Sequence, residues 1–266
     1  MNNVITGLAA TLSTSVNDTQ SEIVKTQTDL AAGKKTLNPA ETGVVTRLSA
    51  QSSAYATVVQ NVTAAQNVIN VAQSGMTSIV DIMVQMKNMA VQASSVGLSD
   101  TDRASLQVTF YNLALQVASL GTSAAVNGNN LLNGTTLSVT TDITGNNSPT
   151  TTIGPVDVAT TATTIAALDI STTTGASAAL LSLTTEINTM SSGQASLMAS
   201  SVALGAQGTN AQKLSDGLSK VIDSIQNIDP TKLQAYLQNL NTQQSVDYYL
   251  VSQMNTEAAA VLTIFR

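Results

Sequence analysis

One face of the segment from Tyr55 to Ala90 carries an apolar side chain at every third or fourth position. The steps alternate between three and four through Tyr55, Val58, Val62, Ala65, Ile69, Ala72, Met76, Ile79, Met83, Met86 and Ala90. This spacing places all of them on one side of an α-helix, which must pack against other helices. A seam of about five heptads is longer than an ordinary globular core needs. The pattern predicts a helical rod, and it leaves open whether the seam packs within one chain or between subunits.

Local sequences also predict where the first two helices end and begin. Gly33 can adopt the left-handed conformation that closes a helix, so the first helix should end there. Asn38, Pro39 and Glu41 supply an N-cap, a proline in the first turn and the acidic residue of a capping box. A second helix should therefore begin directly after a short hinge.

Three further helices are predicted by the same criteria. Residues 99–102 (SDTD) have the acidic first turn of a third helix, which should end near Gly121. Helical spacing returns in the segment 179–228, and residues 229–230 (DP) restart a last helix that reaches the C-terminus. In the helix predicted at 179–228, the apolar positions predicted to form the rod core are Leu204, Leu218 and Ile222.

The segment 135–178 differs from both ends of the chain. It is rich in Thr and contains no Lys or Arg. Apolar and polar residues alternate at 137–139, 156–158 and 168–170, which predicts a few short strands. The predicted fold class is therefore mainly α: a long antiparallel helical rod or coiled coil formed by the N- and C-terminal segments, with a small Thr-rich β outer insert.

The composition excludes several classes of function. The chain of 266 residues contains no Cys, His or Trp and has a formal net charge of -6. Disulfides, Cys or His metal sites and His-dependent triads cannot be built from it, so we expect no enzymatic activity and no metal or cofactor. The acidic balance, with no basic cluster larger than Lys34 and Lys35, argues against nucleic-acid binding.

Two features bear on membranes and export. No apolar run reaches the length of about 18 residues that a membrane-spanning helix needs, so we expect no membrane insertion. The first residues lack the basic region of a cleavable signal peptide, and the first Lys is Lys25. Export, where it occurs, is expected to use another route.

Five motifs, in order along the chain, resemble those of bacterial flagellins. They are 30–43 (LAAGKKTLNPAETG), similar to the hinge after the first helix; 89–93 (MAVQA), similar to the end of the long second helix; 127–134 (NGNNLLNG), similar to the turn after the third; 204–207 (LGAQ), similar to the start of the returning rod helix; and 261–266 (VLTIFR), similar to the C-terminal end. The resemblance covers residues 1–134 and 180–266.

The resemblance implies a structural subunit that self-assembles head-to-tail into the extracellular flagellar filament for bacterial motility. Five segments are implied: 1–40, the N-terminal inner-tube helix and hinge; 41–134, the N-terminal rod helices; 135–178, the variable outer insert; 179–228, the C-terminal rod helix; and 229–266, the C-terminal inner-tube helix. Terminal helices with apolar residues on more than one face cannot bury them within one monomer, so the free subunit should leave its ends disordered until assembly.

The same resemblance assigns roles to residues at both ends. The implied inner-tube assembly positions are Ile5, Leu8, Leu12, Ile23, Leu30, Leu240, Val246, Leu250, Met254, Val261, Leu262, Ile264, Phe265 and Arg266. The hinge positions are Gly33, Asn38 and Pro39. The rod-core positions in the second helix are Val58, Val62, Ile69, Met76, Ile79, Met83 and Met86.

The implied partners are further copies of the chain in an open helical filament, a flagellar export chaperone and hook-associated proteins. Residues 85–89 (QMKNM) lack the Arg and Glu through which many flagellins bind a vertebrate innate immune receptor, so receptor binding there is not expected. Two alternatives stay open. One is the hook–filament junction protein of the same superfamily, which shares the hinge and the 99–103 helix start. The other is an enzyme or binding module in the insert, which about forty residues without His, Cys or Lys disfavour.

Overall fold

A computed structural model of the chain describes residues 2–143 and 150–264, except for the side chains at 2–6, 258 and 261–264. Its elements, in order, are α1 (Asn2–Ala32), α2 (Pro39–Ala93), α3 (Asp100–Ser123), β1 (Leu137–Thr140), β2 (Thr150–Ile153), α4 (Val158–Ala166), α5 (Thr173–Gln226) and α6 (Pro230–Ile264). The described part is mainly helical, which confirms the predicted fold class.

Most of the predicted helix boundaries are confirmed to within about two residues, because they rest on local chemistry. The exception is the start of α5, which lies at Thr173, six residues before the predicted segment 179–228. Gly33 follows the end of α1 with a φ of +65°. The side chain of Ser99 accepts a hydrogen bond from the amide of Asp102 at the start of α3. At the start of α6, Asp229 Oδ1 accepts from the amides of Thr231 (3.0 Å) and Lys232 (3.2 Å).

The chain divides into two compact units. The terminal unit consists of Met1–Ala50 and Gly217–Arg266, and the central unit consists of Gln51–Asp216. Helices α2 and α5 each contribute residues to both units.

Within the central unit, α2 and α5 run antiparallel. Ser52 Oγ lies 3.0 Å from Ser215 Oγ at one end of the pair. Toward the other end, Gln194 Nε2 donates to Thr77 Oγ1 at 3.3 Å. Small residues permit this close packing: a Cβ built on Gly208 of α5 would meet Val62 Cγ1 of α2 at 3.0 Å. The predicted long seam therefore packs at least in part within one chain.

The insert contains less strand than the sequence predicts. Strands β1 and β2 form an antiparallel pair in which Leu137 lies opposite Ile153. The strand predicted at 156–158 is wrong, because Asp157 caps α4 by accepting from the amide of Thr160 at 3.1 Å. The strand predicted at 168–170 is also wrong: the side chain of Gln107 on α3 donates to the carbonyl of Leu168 (3.1 Å) and accepts from the amide of Ile170 (2.7 Å).

The insert is packed into the helical core. The side chains that α2, α3, α5 and the insert bury together form one cluster. The insert contributes Val139, Ile153, Val156, Val158, Ala162, Ile165 and Ile170 to it. A Cβ on Gly121 of α3 would lie 2.7 Å from Val158 Cγ1, which shows how closely α4 approaches α3. The Thr-rich segment is thus part of the central unit's structure.

Candidate assembly surfaces

The terminal unit is built on an antiparallel pair of helices, α1 and α6. Ser15, near the middle of α1, donates a hydrogen bond to Asp247, near the middle of α6. At one end of the pair, just beyond α1, the amide of Lys35 donates to the carbonyl of Gln226 at 2.8 Å. The two ends of the chain are therefore brought side by side.

The inward faces of both helices follow a heptad spacing. The buried or half-buried positions of α1 with this spacing are Ala9, Leu12, Val16, Thr19, Ile23, Thr26 and Leu30. Those of α6 are Leu233, Leu237, Leu240, Gln244, Asp247, Val251 and Met254. Steps of three and four on both helices are typical of a coiled coil.

The interface of this pair is partly polar. Thr19, Thr26 and Asp247 are among its buried residues. Asp247 Oδ2 accepts hydrogen bonds from Ser15 Oγ at 3.2 Å and Thr19 Oγ1 at 3.4 Å. One turn along, the side-chain amide of Gln244 donates to Gln20 Oε1. Sequence reasoning missed this polar layer, although the heptad spacing from Leu240 to Met254 passes through Gln244 and Asp247.

The predicted inner-tube positions fall into three groups. Ile23 and Leu240 are buried in the helical pair, while Leu12, Leu30 and Met254 are half-buried. Leu8, Val246 and Leu250 point outward, and Val246 is 51% exposed. Ile5, Val261, Leu262, Ile264, Phe265 and Arg266 lie outside the residues whose side chains are described.

Further large apolar and aromatic side chains of the terminal unit are exposed. They are Val24, Val44, Val221, Tyr236, Tyr248 and Tyr249. Together with Leu8, Val246 and Leu250 they lie on the exposed parts of α1, the first turns of α2, the last turns of α5, and α6. Where such side chains form one continuous patch, they mark a contact with another macromolecule.

The hinge between α1 and α2 is held by a reciprocal capping box, as predicted. Asn38 Oδ1 accepts from the amide of Glu41 at 2.8 Å, and Glu41 Oε2 accepts from the amide of Asn38 at 3.1 Å. Glu41 also forms an ion pair with Lys35, with 2.5 Å between Oε1 and Nζ. The hydrogen bond from Lys35, followed by the one from the Asn38 amide, lowers the pKa of Glu41.

A second contact ties the hinge to α1. The buried carboxylate of Asp29 accepts hydrogen bonds from the amide of Thr36 at 2.7 Å and from its hydroxyl. Lys35 is therefore a structural residue of the hinge, since its side chain pairs with Glu41 and its amide donates to the Gln226 carbonyl. Pro39 occupies the first position of α2, where its missing N–H costs no hydrogen bond.

Comparison with known proteins identifies relatives of this chain. The model of the bacterial flagellin N-terminal helical region matches residues 5–136. Flagellin FljN of Caulobacter vibrioides is 30% identical over 255 residues, which span 94% of this chain and 93% of that protein. The chain belongs to the flagellin family. Flagellin FljO of the same organism is 28% identical over 261 residues, with the same coverage of both chains.

The solved structures agree with this family at the level of the fold. The crystal structure of Bacillus cereus flagellin matches with a TM-score of 0.51 at 20% identity, covering 57% of this chain and 88% of that one. As a flagellin, the chain is a structural subunit of the flagellar filament, which is extracellular.

Most predicted rod-core residues of this flagellin are buried in the central unit. They are Val58, Val62, Ile69, Met76, Ile79, Met83, Met86 and Leu204. Leu218 and Ile222 are half-buried and belong to the terminal unit.

The family's 127–134 turn closes the end of α3. Asn127 and Gly128 have φ values of 50° and 81°, which only Asn and Gly adopt readily. Asn130 Nδ2 donates to the carbonyl of Gly121 at 2.8 Å and so satisfies a carbonyl at the end of the helix. Leu131 and Leu132 are then fully buried in the core.

Arg103 at the α2–α3 corner is a structural position that sequence reasoning missed. Its guanidinium is buried and donates to the carbonyls of Ala93 (3.2 Å), Ser95 (2.8 Å) and Leu98 (2.7 Å). A cation at the C-terminal end of α2 is favoured by the helix dipole. The Arg103 side chain therefore holds the corner through backbone contacts.

Among the described residues, no helix is long and apolar enough to cross a membrane. The same part of the chain holds no group of three or more acidic side chains arranged for a metal ion. In the 85–89 segment of this flagellin, Met86 is buried and Lys87 is half-buried. The lack of immune-receptor binding at this segment stays a prediction.

Proposed function

We propose that this flagellin polymerises head-to-tail with copies of itself into the extracellular filament used for motility, and that assembly covers the terminal unit. One observation carries the proposal: α1 and α6 pair through a partly polar interface while Leu8, Val246, Leu250 and Tyr249 are exposed on their outer faces. Side chains of this kind are stabilised when other copies bury them. Contacts between different surfaces of identical subunits generate an open helical polymer.

The distribution of charge supports the same proposal. The terminal unit carries seven Lys and Arg against eight Asp and Glu, a formal charge of -1. The central unit carries three against eight, a formal charge of -5. Packing identical units closely costs electrostatic energy that grows with their net charge. The nearly neutral terminal unit is therefore the better candidate for the inner tube, and the acidic central unit for the solvent-facing part.

Assembly and export follow as parts of the proposal. A two-helix unit with exposed apolar faces gains much of its burial from neighbours, so the free subunit leaves its ends disordered and orders them on assembly. Disordered ends suit passage through an export channel with the help of a chaperone. Hook-associated proteins then meet the same terminal surfaces at the ends of the filament.

A deletion tests the proposal. Removing the chain from Val246 onward should abolish filaments while a soluble helical monomer remains, as seen by electron microscopy and far-UV circular dichroism. Normal filaments from this truncation would refute the assembly role. A full-length protein that caps hooks but does not elongate filament seeds would instead favour the junction-protein alternative.

A triple substitution separates assembly from folding. Leu8→Ser, Val246→Ser and Leu250→Ser change only outward side chains, so the free chain should keep its helicity. Each side chain, about half buried on assembly, contributes about 1 kcal/mol, and the critical concentration should rise on the order of a hundredfold. Val96→Ser, on the exposed α2–α3 loop, is the matched control and should assemble normally.

A further inference from the structure

Asp247 is a buried carboxylate that has no cationic partner among the described residues. It lies on the inward face of α6 and is 7% exposed. Its hydrogen bonds come from the hydroxyls of Ser15 and Thr19, and the salt bridges of the described residues do not include it. A charge buried in this way stabilises a fold less than an apolar side chain of similar volume would. Stability alone therefore does not explain an acidic residue at this position.

The heptad spacing makes the pairing of α1 and α6 ambiguous. Shifting one helix by seven residues returns a seam position to every level of the pair. Apolar positions such as Leu12, Ile23 and Leu240 meet another seam residue after such a shift. The hydrogen bond from the Lys35 amide to the Gln226 carbonyl holds the hinge end of the pair. Farther along the two helices, something other than the apolar seam must distinguish the observed pairing from its shifted alternatives.

Asp247 distinguishes the observed pairing from one of these alternatives. Because the helices run antiparallel, a shift of seven residues in one direction moves Asp247 from the level of Ser15 and Thr19 to that of Leu8 and Leu12. The carboxylate would then face the inward side chain of Leu12 and lose both hydroxyl donors. An unpaired buried carboxylate is strongly unfavourable.

The opposite shift is also disfavoured. It would bring Asp247 to the level of Glu22 and Thr26, where a second carboxylate replaces one of the two hydroxyls. Like charges close together in a partly buried site repel each other. Either shift also breaks the amide pair of Gln20 and Gln244, since each of the two glutamines would then face a position seven residues away.

We propose that Asp247 is a positioning residue that selects the register of the α1–α6 pair through Ser15 and Thr19. A single buried polar residue can specify the register of a coiled coil at a cost in stability. A shift of seven residues would move one helix by about 10 Å along the other. It would therefore displace Val246 and Leu250 relative to the outward residues of α1. Because assembly orders the pair, the inference rests on the proposed function in this one respect: filament formation itself tests the polymer, and the distance within one chain tests the register.

Two spin labels can measure the register directly. The chain contains no Cys, so Ser21→Cys and Thr256→Cys, both at exposed positions, create unique sites in the full-length protein. The labelled protein is assembled with a large excess of unlabelled parent, so that the pair is ordered and the distances arise within one chain. In the observed register the labels are offset by about 20 Å along the helix axis, and a shift of one heptad changes this by about 10 Å. The distance between the labels increases for a shift in one direction and decreases for a shift in the other. Pulsed electron–electron double resonance reads the distances.

The expected outcome differs among four proteins. The labelled parent should give a single distance. Asp247→Leu should add at least one distance displaced by about 10 Å, while its far-UV helicity is retained. Asp247→Asn keeps a polar group for the two hydroxyls and should restore the single distance. Asp18→Leu makes the same chemical change on the exposed face of α1 and should also give a single distance.

Three results would overturn the proposal. One is a single, unshifted distance in Asp247→Leu. Another is loss of helicity in that variant without displaced distances, which would mean that Asp247 stabilises the pair without selecting its register. The third is several distances in the parent itself, since the register would then not be unique.

Discussion

Replacing Gly193 by Ala tests how tightly the insert packs on α5. A Cβ at Gly193 would lie 2.8 Å from Val156 Cγ2 and 3.0 Å from both Val156 Cγ1 and Met76 Cε. Methionine can rotate away from such a contact. The β-branched side chain of Val156 is stiff and packed in the core, so it cannot.

Two opposing effects determine how much Gly193→Ala changes the free energy of unfolding. Overpacking a core costs about 1–3 kcal/mol, while replacing Gly by Ala inside a helix gains about 1 kcal/mol. Gly193→Ala should therefore lower the free energy of unfolding by about 0–2 kcal/mol in the parent. In a Val156→Ala background both γ carbons are gone, and the same substitution should raise it by about 1 kcal/mol.

The assay is a double-mutant cycle of urea unfolding, followed by far-UV circular dichroism. Gly217→Ala is the matched control, since it lies on the same helix and an added Cβ meets no atom within 4 Å. It should stabilise both backgrounds by about 1 kcal/mol. If Gly193→Ala stabilised the parent as much as this control does, Val156 would not occupy the space beside Gly193, and the reasoning would fail.

Three more predictions concern the hinge and the α2–α3 corner. Asn38→Ala removes the cap and should lower the local stability of the first turn of α2 by about 1 kcal/mol. Amide exchange in that turn should then be about fivefold faster. Asn38→Ser keeps a capping side chain and should leave the exchange rate unchanged. The pKa of Glu41 in the folded protein is lowered from 4.5. The stability that the ionised Glu41 adds to the start of α2 is therefore complete above pH 4.5, and it is lost as the pH falls through the lower pKa of the folded protein. Glu41→Gln should remove this step from the pH dependence of exchange at the same amides. Arg103→Lys loses the forked donors to the Ser95 and Leu98 carbonyls and should lower the free energy of unfolding by about 1–3 kcal/mol, so unchanged stability in thermal unfolding would contradict the role of Arg103.

Local chemistry explains which parts of the fold could be predicted. Gly33, Asn38 and Asp229 act on backbone groups within a few residues, so their effects can be read from the sequence next to them. The long seam of α2 was predictable for a similar reason, since the helical period repeats a simple spacing. The strands at 156–158 and 168–170 were wrong because β-branched residues favour strands only where packing agrees. Here Asp157 caps a helix and Gln107, far away in sequence, binds the backbone of the second segment.

The assembly surface, too, could be predicted from the sequence only in part. The sequence by itself determined the family, the helical class and the apolar character of both chain ends. Only the tertiary structure decided that Asp247 faces α1 while Val246 and Leu250 face outward. Adjacent positions on one helix point in different directions, and the partner helix alone determines which of them becomes buried. Ser15 and Thr19 lie more than two hundred residues away from Asp247 along the chain. No local pattern can reveal a contact that exists only when the two ends of the chain pack together.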